Sequence, residues 1–193
     1  KRVADKVISG EPVNSDDALA MLSTTDIPGL GMIANFIREK INGNLTYYGM
    51  NVNLNYTNIC ELRCPLCAFS CDEGDPKGYV YSIDDIDRIV READAAGIDE
   101  VHIVGGLNPS LKLDYFTSMI RKIKEINSRI FVVAFTAVEY DYFAKLNGMT
   151  LQEVFRALID AGLGAIPGGG AEIFADDKRS VISPKKIPAG RWL

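Results

Sequence analysis

The sequence lacks the long apolar segments and the leader that would direct a chain into or across a membrane. None of its hydrophobic runs approaches the roughly 20 residues that a membrane-spanning helix needs. The first five residues, KRVAD, have neither the apolar stretch nor the small-residue cleavage site of a secretory signal. We therefore expect a cytoplasmic protein with no membrane partner.

Positive charge is also scarce. The 193 residues contain 21 Lys and Arg against 26 Asp and Glu, a formal net charge of −5, and the basic residues are scattered along the chain. A nucleic-acid-binding domain normally gathers its basic residues on one face, so we expect no nucleic-acid partner. The hydrophobic content of 47% is enough for a globular core, and a small-molecule substrate is favoured.

Cysteine is limited to four residues, and all of them lie between residues 60 and 71: Cys60, Cys64, Cys67 and Cys71. A disulfide framework normally joins distant segments of a small secreted domain. Clustering in one short window instead favours metal ligation in a reducing compartment.

Residues 1–50 read as a helical segment. The sequence Asn14-Ser15-Asp16-Asp17 is a helix-capping pattern, and a second run with apolar residues near one face ends before Gly43. We expect these residues to form helices that precede the main domain.

From residue 51 the pattern alternates between strand and helix. Strands are predicted at residues 51–59, 101–104, 130–135 and 163–166. Capping boxes at Ser82/Asp85 and Thr150/Glu153, and an amphipathic run over 115–126, predict the helices between them. Such alternation predicts an α/β fold with a parallel sheet, either a barrel or a doubly wound sheet. Four parallel strands cannot close a barrel, so we interpret 51–193 as the first four βα units of a larger domain whose C-terminal part is missing.

The first three cysteines have the spacing CxxxCxxC directly after a predicted strand. Three thiolates in one loop can ligate three irons of a four-iron four-sulfur (4Fe-4S) cluster, which leaves the fourth iron open. The amino and carboxylate groups of S-adenosylmethionine can chelate an open iron, and reductive cleavage then gives a 5'-deoxyadenosyl radical. We therefore predict Cys60, Cys64 and Cys67 as cluster ligands.

Two other metal sites remain open on the cysteine pattern alone. A structural zinc ion needs four ligands, and only Cys71 is available as the fourth thiolate. An electron-transfer cluster of the two-cluster ferredoxin type uses a different cysteine order and a second cysteine set. We interpret Cys71 as a thiol near the site that is not a ligand.

The cysteine spacing, followed by Gly105 and Gly106 at the end of the second strand, resembles the radical S-adenosylmethionine superfamily. The resemblance implies a partial (βα)6 TIM-like barrel, incomplete in this chain, with the cluster at its C-terminal mouth. It also implies S-adenosyl-L-methionine as cosubstrate and an electron donor such as flavodoxin or ferredoxin. In that family the glycines bind the methionine amino group; here Leu107 replaces the glutamate that usually follows, and a simple tight turn is the alternative.

Four segments, NYTNICELRCPLCAFS, HIVGGLNP, AFTAVEY and PGGGAEIF, resemble the aminofutalosine synthases of menaquinone biosynthesis. The related cyclic dehypoxanthine futalosine synthases and FO synthase subunits share the cysteine loop and the Gly-Gly-Leu segment. The resemblance implies addition of the adenosyl radical to 3-[(1-carboxyvinyl)oxy]benzoate. A non-catalytic zinc-stabilised binding domain is the alternative from another functional class.

Several polar residues on the first two strands are further candidates. Asn53 and Asn55 lie on the polar face of the first strand, which can line a barrel lumen and bind a ligand. His102 precedes the glycines and is predicted as a proton carrier or substrate donor. Structural hydrogen bonding is the alternative for all three residues.

Two residues after the third strand, Thr136 and Glu139, lie where parallel barrels place their chemistry. We predict that Thr136 binds the cosubstrate and that Glu139 binds a ribose hydroxyl or moves a proton. The alternative for Glu139 is capping of a short helix over residues 140–146.

The fourth strand runs into Gly168, Gly169 and Gly170, which permit backbone amides to approach the nucleoside or an anion. Glu172 follows and is predicted as a catalytic residue of the same mouth. The proposed substrate carries two carboxylates, and Arg179 or Arg191 can bind them if they fold toward the mouth. Solvated surface arginines are the alternative.

Overall fold

The computed structural model describes residues 2–193 of the chain. The helices and strands occur in the order α1 (Arg2–Ser9), α2 (Ser15–Ser23), α3 (Ile27–Asn42), β1 (Asn51–Leu54), α4 (Ile83–Ala95), β2 (Glu100–Ile103), α5 (Leu113–Ile126), β3 (Phe131–Ala134), α6 (Ala137–Asn147), α7 (Leu151–Ala161), α8 (Asp176–Ile182) and α9 (Ala189–Trp192). The α/β class predicted from the sequence is confirmed. No helix within the described residues is long and apolar enough to cross a membrane.

The chain divides into two compact units, and the first ends at Tyr48. It contains α1, α2 and α3, as the helical pattern of this segment predicts. The Asn14 side chain accepts a hydrogen bond from the backbone of Asp17, whose carboxylate accepts one from the backbone of Asn14 in return. Helix α3 ends at Asn42 and is capped by Gly43, which adopts a positive φ of 59° that a residue with a side chain rarely takes.

The second unit, Gly49–Leu193, is built on a three-stranded parallel sheet with the order β1-β2-β3. The register places Asn53 opposite His102, and His102 opposite Val133. Consecutive parallel strands need a crossover between them, and α4 and α5 provide these crossovers. All three strands therefore end at the same edge of the sheet.

Helices α4 and α7 begin where their capping boxes predict. Ser82 and Asp85 exchange both capping hydrogen bonds at the start of α4, and Thr150 and Glu153 do so at α7. Each box satisfies backbone donors that the first turn of a helix leaves without an intrahelical partner. The helix boundaries in this unit therefore follow from local sequence.

The hydrophobic core lies between the sheet and its helices. Alternate strand residues are buried on one face of the sheet, and α4, α5 and α7 cover them with their apolar stripes. Aromatic rings fill the region near the strand ends; Phe116 of α5 stacks on Phe143 of α6 with 4.1 Å between centroids, and Tyr56 meets Phe116 edge-on at 5.2 Å. This packing fixes the strand ends from which the site loops depart.

Two predicted strands differ from the structure. Strand β1 ends at Leu54 rather than continuing to residue 59, because the following backbone pairs with other segments; Thr57 bridges Val80 and Ile59 bridges Cys71. The predicted fourth strand at 163–166 is reduced to a single parallel bridge between Val133 and Ala165. Pro167 lacks the amide proton that would extend this ladder, and the glycine run after it disfavours an extended strand. The assignment of 51–193 as four βα units of a larger domain stays a prediction.

Candidate functional site

A pocket of 390 Å³ opens at the carboxyl ends of the three strands. This volume is within the range of small-molecule sites, and this edge of a parallel sheet is where such folds bind ligands. The structure brings together here many of the residues predicted from the sequence: Cys60, Cys64, Cys67, Asn55, Gly105, Gly106, Thr136, Glu139, Gly170 and Glu172. Segments that are distant in the sequence thus meet around one cavity.

The cysteine loop is closed at its base by backbone hydrogen bonds. The Cys60 amide donates to the Cys71 carbonyl at 3.1 Å, and the Cys71 amide donates to the Asn58 carbonyl at 2.9 Å. A tight turn, in which the Cys67 amide donates to the Cys64 carbonyl at 2.9 Å, orders the loop between them. Cys71 is buried and does not line the pocket, so its backbone rather than its thiol contributes to this arrangement.

Polar residues before the first cysteine anchor the loop to the chain that returns from it. The Thr57 hydroxyl donates to the Tyr79 carbonyl at 2.6 Å. The Asn58 amide group donates to the Lys77 carbonyl at 2.8 Å and accepts from the Tyr79 amide at 2.9 Å. Buried polar groups must find such partners, and these bonds hold both ends of the loop together.

The thiols differ in how readily they ionise. Burial raises the pKa of Cys64, although the nearby Lys186 ammonium opposes this effect. Burial also disfavours the Cys67 thiolate, but hydrogen bonds from the Phe69 and Ser70 backbone outweigh it and lower the pKa of Cys67. The thiolate is the form that binds a metal, so Cys67 is the better prepared ligand of the two.

Gly105 and Gly106 pass directly under the cysteine loop. A Cβ on Gly106 would lie 2.1 Å from the Ile59 carbonyl oxygen, and one on Gly105 would lie 2.6 Å from the Tyr56 ring. Both amides are used within the protein, because Gly106 donates to the Thr57 carbonyl at 2.9 Å and Gly105 to the Glu139 carboxylate at 3.1 Å. An ammonium group has donors only, so this segment can bind one only through its carbonyl oxygens; that of Gly106 also accepts from the Tyr56 hydroxyl at 3.3 Å.

Glu139 is 3% exposed and accepts four hydrogen bonds. One carboxylate oxygen accepts from the Tyr56 hydroxyl at 3.0 Å and the Gly105 amide at 3.1 Å. The other accepts from the Thr136 amide at 2.7 Å and the Thr136 hydroxyl at 2.9 Å. Burial raises the pKa of Glu139 to about 6, although these four donors oppose the shift.

The environment of Glu139 bears on its predicted role. Four donors occupy the roughly four lone-pair positions of a carboxylate, so little capacity remains for a ribose hydroxyl. The capping box between Thr136 and Glu139 at the start of α6 matches the capping alternative given by the sequence. Glu139 ties the ends of the three strands together, and its arrangement is that of a positioning residue.

Other predicted residues lie away from this pocket. His102 stands within the sheet, its Nδ1 is 3.6 Å from a Glu100 carboxylate oxygen, and neither it nor its neighbour Asn53 lines the pocket. Gly168 and Gly169 are also outside the lining. The Trp192 indole donates to the Gly169 carbonyl at 3.2 Å, so this glycine contributes to packing of the C-terminal segment.

The family model of the radical S-adenosylmethionine (radical SAM) superfamily matches residues 54–193, which is most of the chain. The chain belongs to the radical SAM superfamily. The matched region starts at the end of β1 and includes the cysteine loop, the glycine pair and Glu139.

Curated relatives include several radical SAM proteins at similar identity. An aminodeoxyfutalosine synthase of Thermus thermophilus is 36% identical over 191 residues, covering 99% of this chain and 51% of that protein. A 5-amino-6-(D-ribitylamino)uracil--L-tyrosine 4-hydroxyphenyl transferase of Methanothermobacter thermautotrophicus is 35% identical over 195 residues, covering 100% and 53%. A cyclic dehypoxanthine futalosine synthase of Halalkalibacterium halodurans is 33% identical over 192 residues, covering 99% of this chain and 52% of that protein. The chain thus spans about half the length of the curated relatives it matches.

Solved structures support the fold. Methylornithine synthase superposes with a TM-score of 0.60 at 16% identity, covering 94% of this chain and 62% of that one. The [FeFe]-hydrogenase maturase HydG of Carboxydothermus hydrogenoformans gives 0.59 at 19% identity, covering 86% and 46%. The α/β arrangement with a small parallel sheet agrees with the partial TIM-like barrel predicted for a radical SAM protein.

The donor set of the pocket fits the 4Fe-4S cluster that the radical SAM family implies. Three thiols from one loop line a single cavity, and the glycine pair leaves room for the loop to lie against it. Cys60, Cys64 and Cys67 would hold the cluster. Among residues 2–193, no group of three or more His, Cys, Asp or Glu side chains is arranged to hold a single metal ion.

The two arginines considered for carboxylate binding have other partners. Arg179 is buried and donates to backbone carbonyls of its own segment, and Arg191 pairs with Asp141 at 2.8 Å. Sequence reasoning missed Lys186, which lines the pocket and pairs with Glu172. The local sequence SPKKIP does not distinguish Lys186 from Lys185, because only the fold turns one of them toward the cysteines.

Proposed function

We propose that this radical SAM protein transfers the 5'-deoxyadenosyl group of S-adenosylmethionine to 3-[(1-carboxyvinyl)oxy]benzoate and forms 6-amino-6-deoxyfutalosine. The observation that carries the radical chemistry is the convergence of Cys60, Cys64 and Cys67 on one pocket with the Gly105–Gly106 backbone. The specific substrate rests on the relatives named aminodeoxyfutalosine synthase and on the four sequence segments that resemble that family.

A 4Fe-4S cluster held by Cys60, Cys64 and Cys67 would leave one iron open and would supply the electron for reductive cleavage of S-adenosylmethionine. The protein's own residues bind and orient the reactants. Carbonyl oxygens of the glycine pair accept hydrogen bonds from the methionine ammonium, and Glu139 fixes that backbone through the Gly105 amide. Asn55 offers a polar group to the nucleoside. Leu62 and Val138 form an apolar part of the pocket wall, which limits the access of water to the reactants.

A second reaction is favoured by one specific observation. The tyrosine 4-hydroxyphenyl transferase of Methanothermobacter thermautotrophicus is 35% identical to this chain, against 36% for the Thermus aminodeoxyfutalosine synthase. The chain is therefore similar to both enzymes at nearly the same identity. In the transferase reaction the substrates named are tyrosine and 5-amino-6-(D-ribitylamino)uracil, so the two candidates are distinguished by substrate.

The test is an anaerobic incubation of the reconstituted protein with S-adenosylmethionine, a reductant and each substrate set in turn, followed by mass spectrometry. The proposal is supported if aminofutalosine forms only with 3-[(1-carboxyvinyl)oxy]benzoate, the enol ether substrate. Free 5'-deoxyadenosine as the sole adenosyl product with the enol ether would contradict it, and a hydroxyphenyl adduct with tyrosine would support the second reaction. Cys64→Ser should form no product, whereas Cys71→Ser should remain active because Cys71 does not line the pocket.

A further inference from the structure

Lys186 is a cationic side chain at the cysteine pocket that has no role in the proposal above. Among the lining residues that the structure describes, it is the single lysine or arginine. Its side chain is 15% exposed and is paired with Glu172, whose side chain is 26% exposed. A partly buried ammonium in a ligand-sized cavity is placed for recognition of negative charge.

The position of this ion pair is fixed by the buried Arg179. This arginine is 4% exposed, and its guanidinium donates to the Ala171 and Ile173 carbonyls on either side of Glu172. It also donates to the Ile187 carbonyl, directly after Lys186, at 2.6 Å. One buried guanidinium therefore holds the backbone at both members of the pair, which pre-organises the pocket wall.

The neighbouring cations are not placed to serve the same purpose. Arg191 contacts Asp141 at 2.8 Å, and that carboxylate also pairs with Lys145 at 2.6 Å. Lys185 is exposed and lies 3.4 Å from the Glu61 carbonyl oxygen, outside the pocket lining. Carboxylate recognition within this cavity thus falls to Lys186.

We propose that Lys186 binds a carboxylate of a ligand in the cysteine pocket, with Glu172 holding the ammonium in place. A lysine ammonium has three donors, so one hydrogen bond to Glu172 leaves two for a ligand carboxylate. This inference rests on the proposed function, in which the carboxylate belongs either to the methionine moiety of S-adenosylmethionine or to the enol ether substrate. Both sources present the same chemistry to Lys186.

The experiment measures equilibrium binding by anaerobic calorimetry on cluster-reconstituted protein. One arm titrates S-adenosylmethionine and its decarboxylated analogue, and the other titrates the enol ether benzoate and its two monoamides, in which either the benzoate or the vinyl carboxylate is replaced by an amide. In wild type, one carboxylated ligand should bind more tightly than its analogue. In Lys186→Met this preference should fall by about ten- to a hundredfold, because a charge-assisted hydrogen bond is lost. The arm that responds identifies the source of the carboxylate.

Matched variants separate binding from folding. Lys186→Arg should keep most of the preference, and Lys185→Met should keep all of it. Because Lys186→Met leaves Glu172 without its partner, the double variant Lys186→Met/Glu172→Gln removes both charges and should show the same loss with normal iron content. An unchanged preference in both arms for the double variant overturns the inference, as does a wild type that shows no preference for either carboxylate. Failure of the proposed function alone would appear differently, as normal S-adenosylmethionine binding without aminofutalosine.

Discussion

Glu139 and Glu172 line the same pocket, but the protein surrounds them in opposite ways. Glu139 is buried and receives four hydrogen bonds from three residues on different segments. Glu172 is partly exposed and pairs with Lys186. Its backbone has a φ of 57°, an unusual conformation for a residue other than glycine.

This contrast separates two functions that residue type alone does not distinguish. A carboxylate whose lone pairs are all used holds its neighbours in place, whereas Glu172 pairs with one ammonium, which keeps further donors for a ligand. This contrast agrees with the proposed roles, in which Glu139 positions the backbone and Lys186 contacts the ligand.

The largest expected effect is on stability when the side chain of Glu139 is removed. Glu139→Ala removes the acceptor of four hydrogen bonds from the buried Tyr56 and the partly buried Gly105 and Thr136, and should lower the free energy of unfolding by about 2 to 4 kcal/mol. Glu172→Ala should lower it by less than about 1 kcal/mol, because a partly exposed ion pair contributes little. Urea denaturation of the cluster-free chain measures both. Equal losses in the two variants would remove the distinction between the two glutamates.

The glycines near each glutamate sharpen the same comparison. Gly105→Ala places a Cβ against the buried Tyr56 ring and should destabilise the protein by about 1 to 3 kcal/mol. Gly168→Ala is the matched control, because a Cβ there meets no atom within 4 Å. Its midpoint of thermal unfolding should stay close to that of wild type. A Gly105→Ala protein as stable as Gly168→Ala would show that the packing under the cysteine loop is looser than described.

The pH dependence of stability should carry a contribution from Glu139. Its pKa is raised from 4.5 to about 6 in the folded protein, so the folded state binds the proton more tightly than the unfolded state. This contribution is fully present below pH 4.5 and is lost as the pH rises through 6, a change of about 2 kcal/mol. Glu139→Gln lacks it, so the difference in unfolding free energy between wild type and this variant should shrink from pH 4 to pH 8. A constant difference would contradict the shifted pKa.

The smallest expected effect concerns the backbone of Glu172. Glu172→Gly should be more stable than Glu172→Ala by about 1 kcal/mol, because both variants lose the ion pair but only glycine adopts a positive φ without strain. Chemical denaturation under identical conditions provides the comparison. If the alanine variant were equally stable, the strained backbone would have no energetic consequence.

The sequence predicted those parts of the molecule that local patterns determine. The capping boxes at Ser82 and Thr150 gave helix starts correctly, and the cysteine spacing indicated the loop that lines the pocket. The predicted length of the fourth strand was wrong, because a short apolar run before Pro167 does not show how many of its residues pair with a neighbouring strand. Lys186 was missed because its approach to the cysteines depends on Arg179, a tertiary contact with no local pattern.

Iron and acid-labile sulfide analysis of anaerobically reconstituted protein tests the central claim most directly. The account predicts about four iron and four sulfide per chain, with a visible absorption band that dithionite bleaches. Cys60→Ser, Cys64→Ser and Cys67→Ser should each impair cluster assembly, while Cys71→Ser should not. Colourless wild-type protein with stoichiometric zinc and no iron would contradict the account.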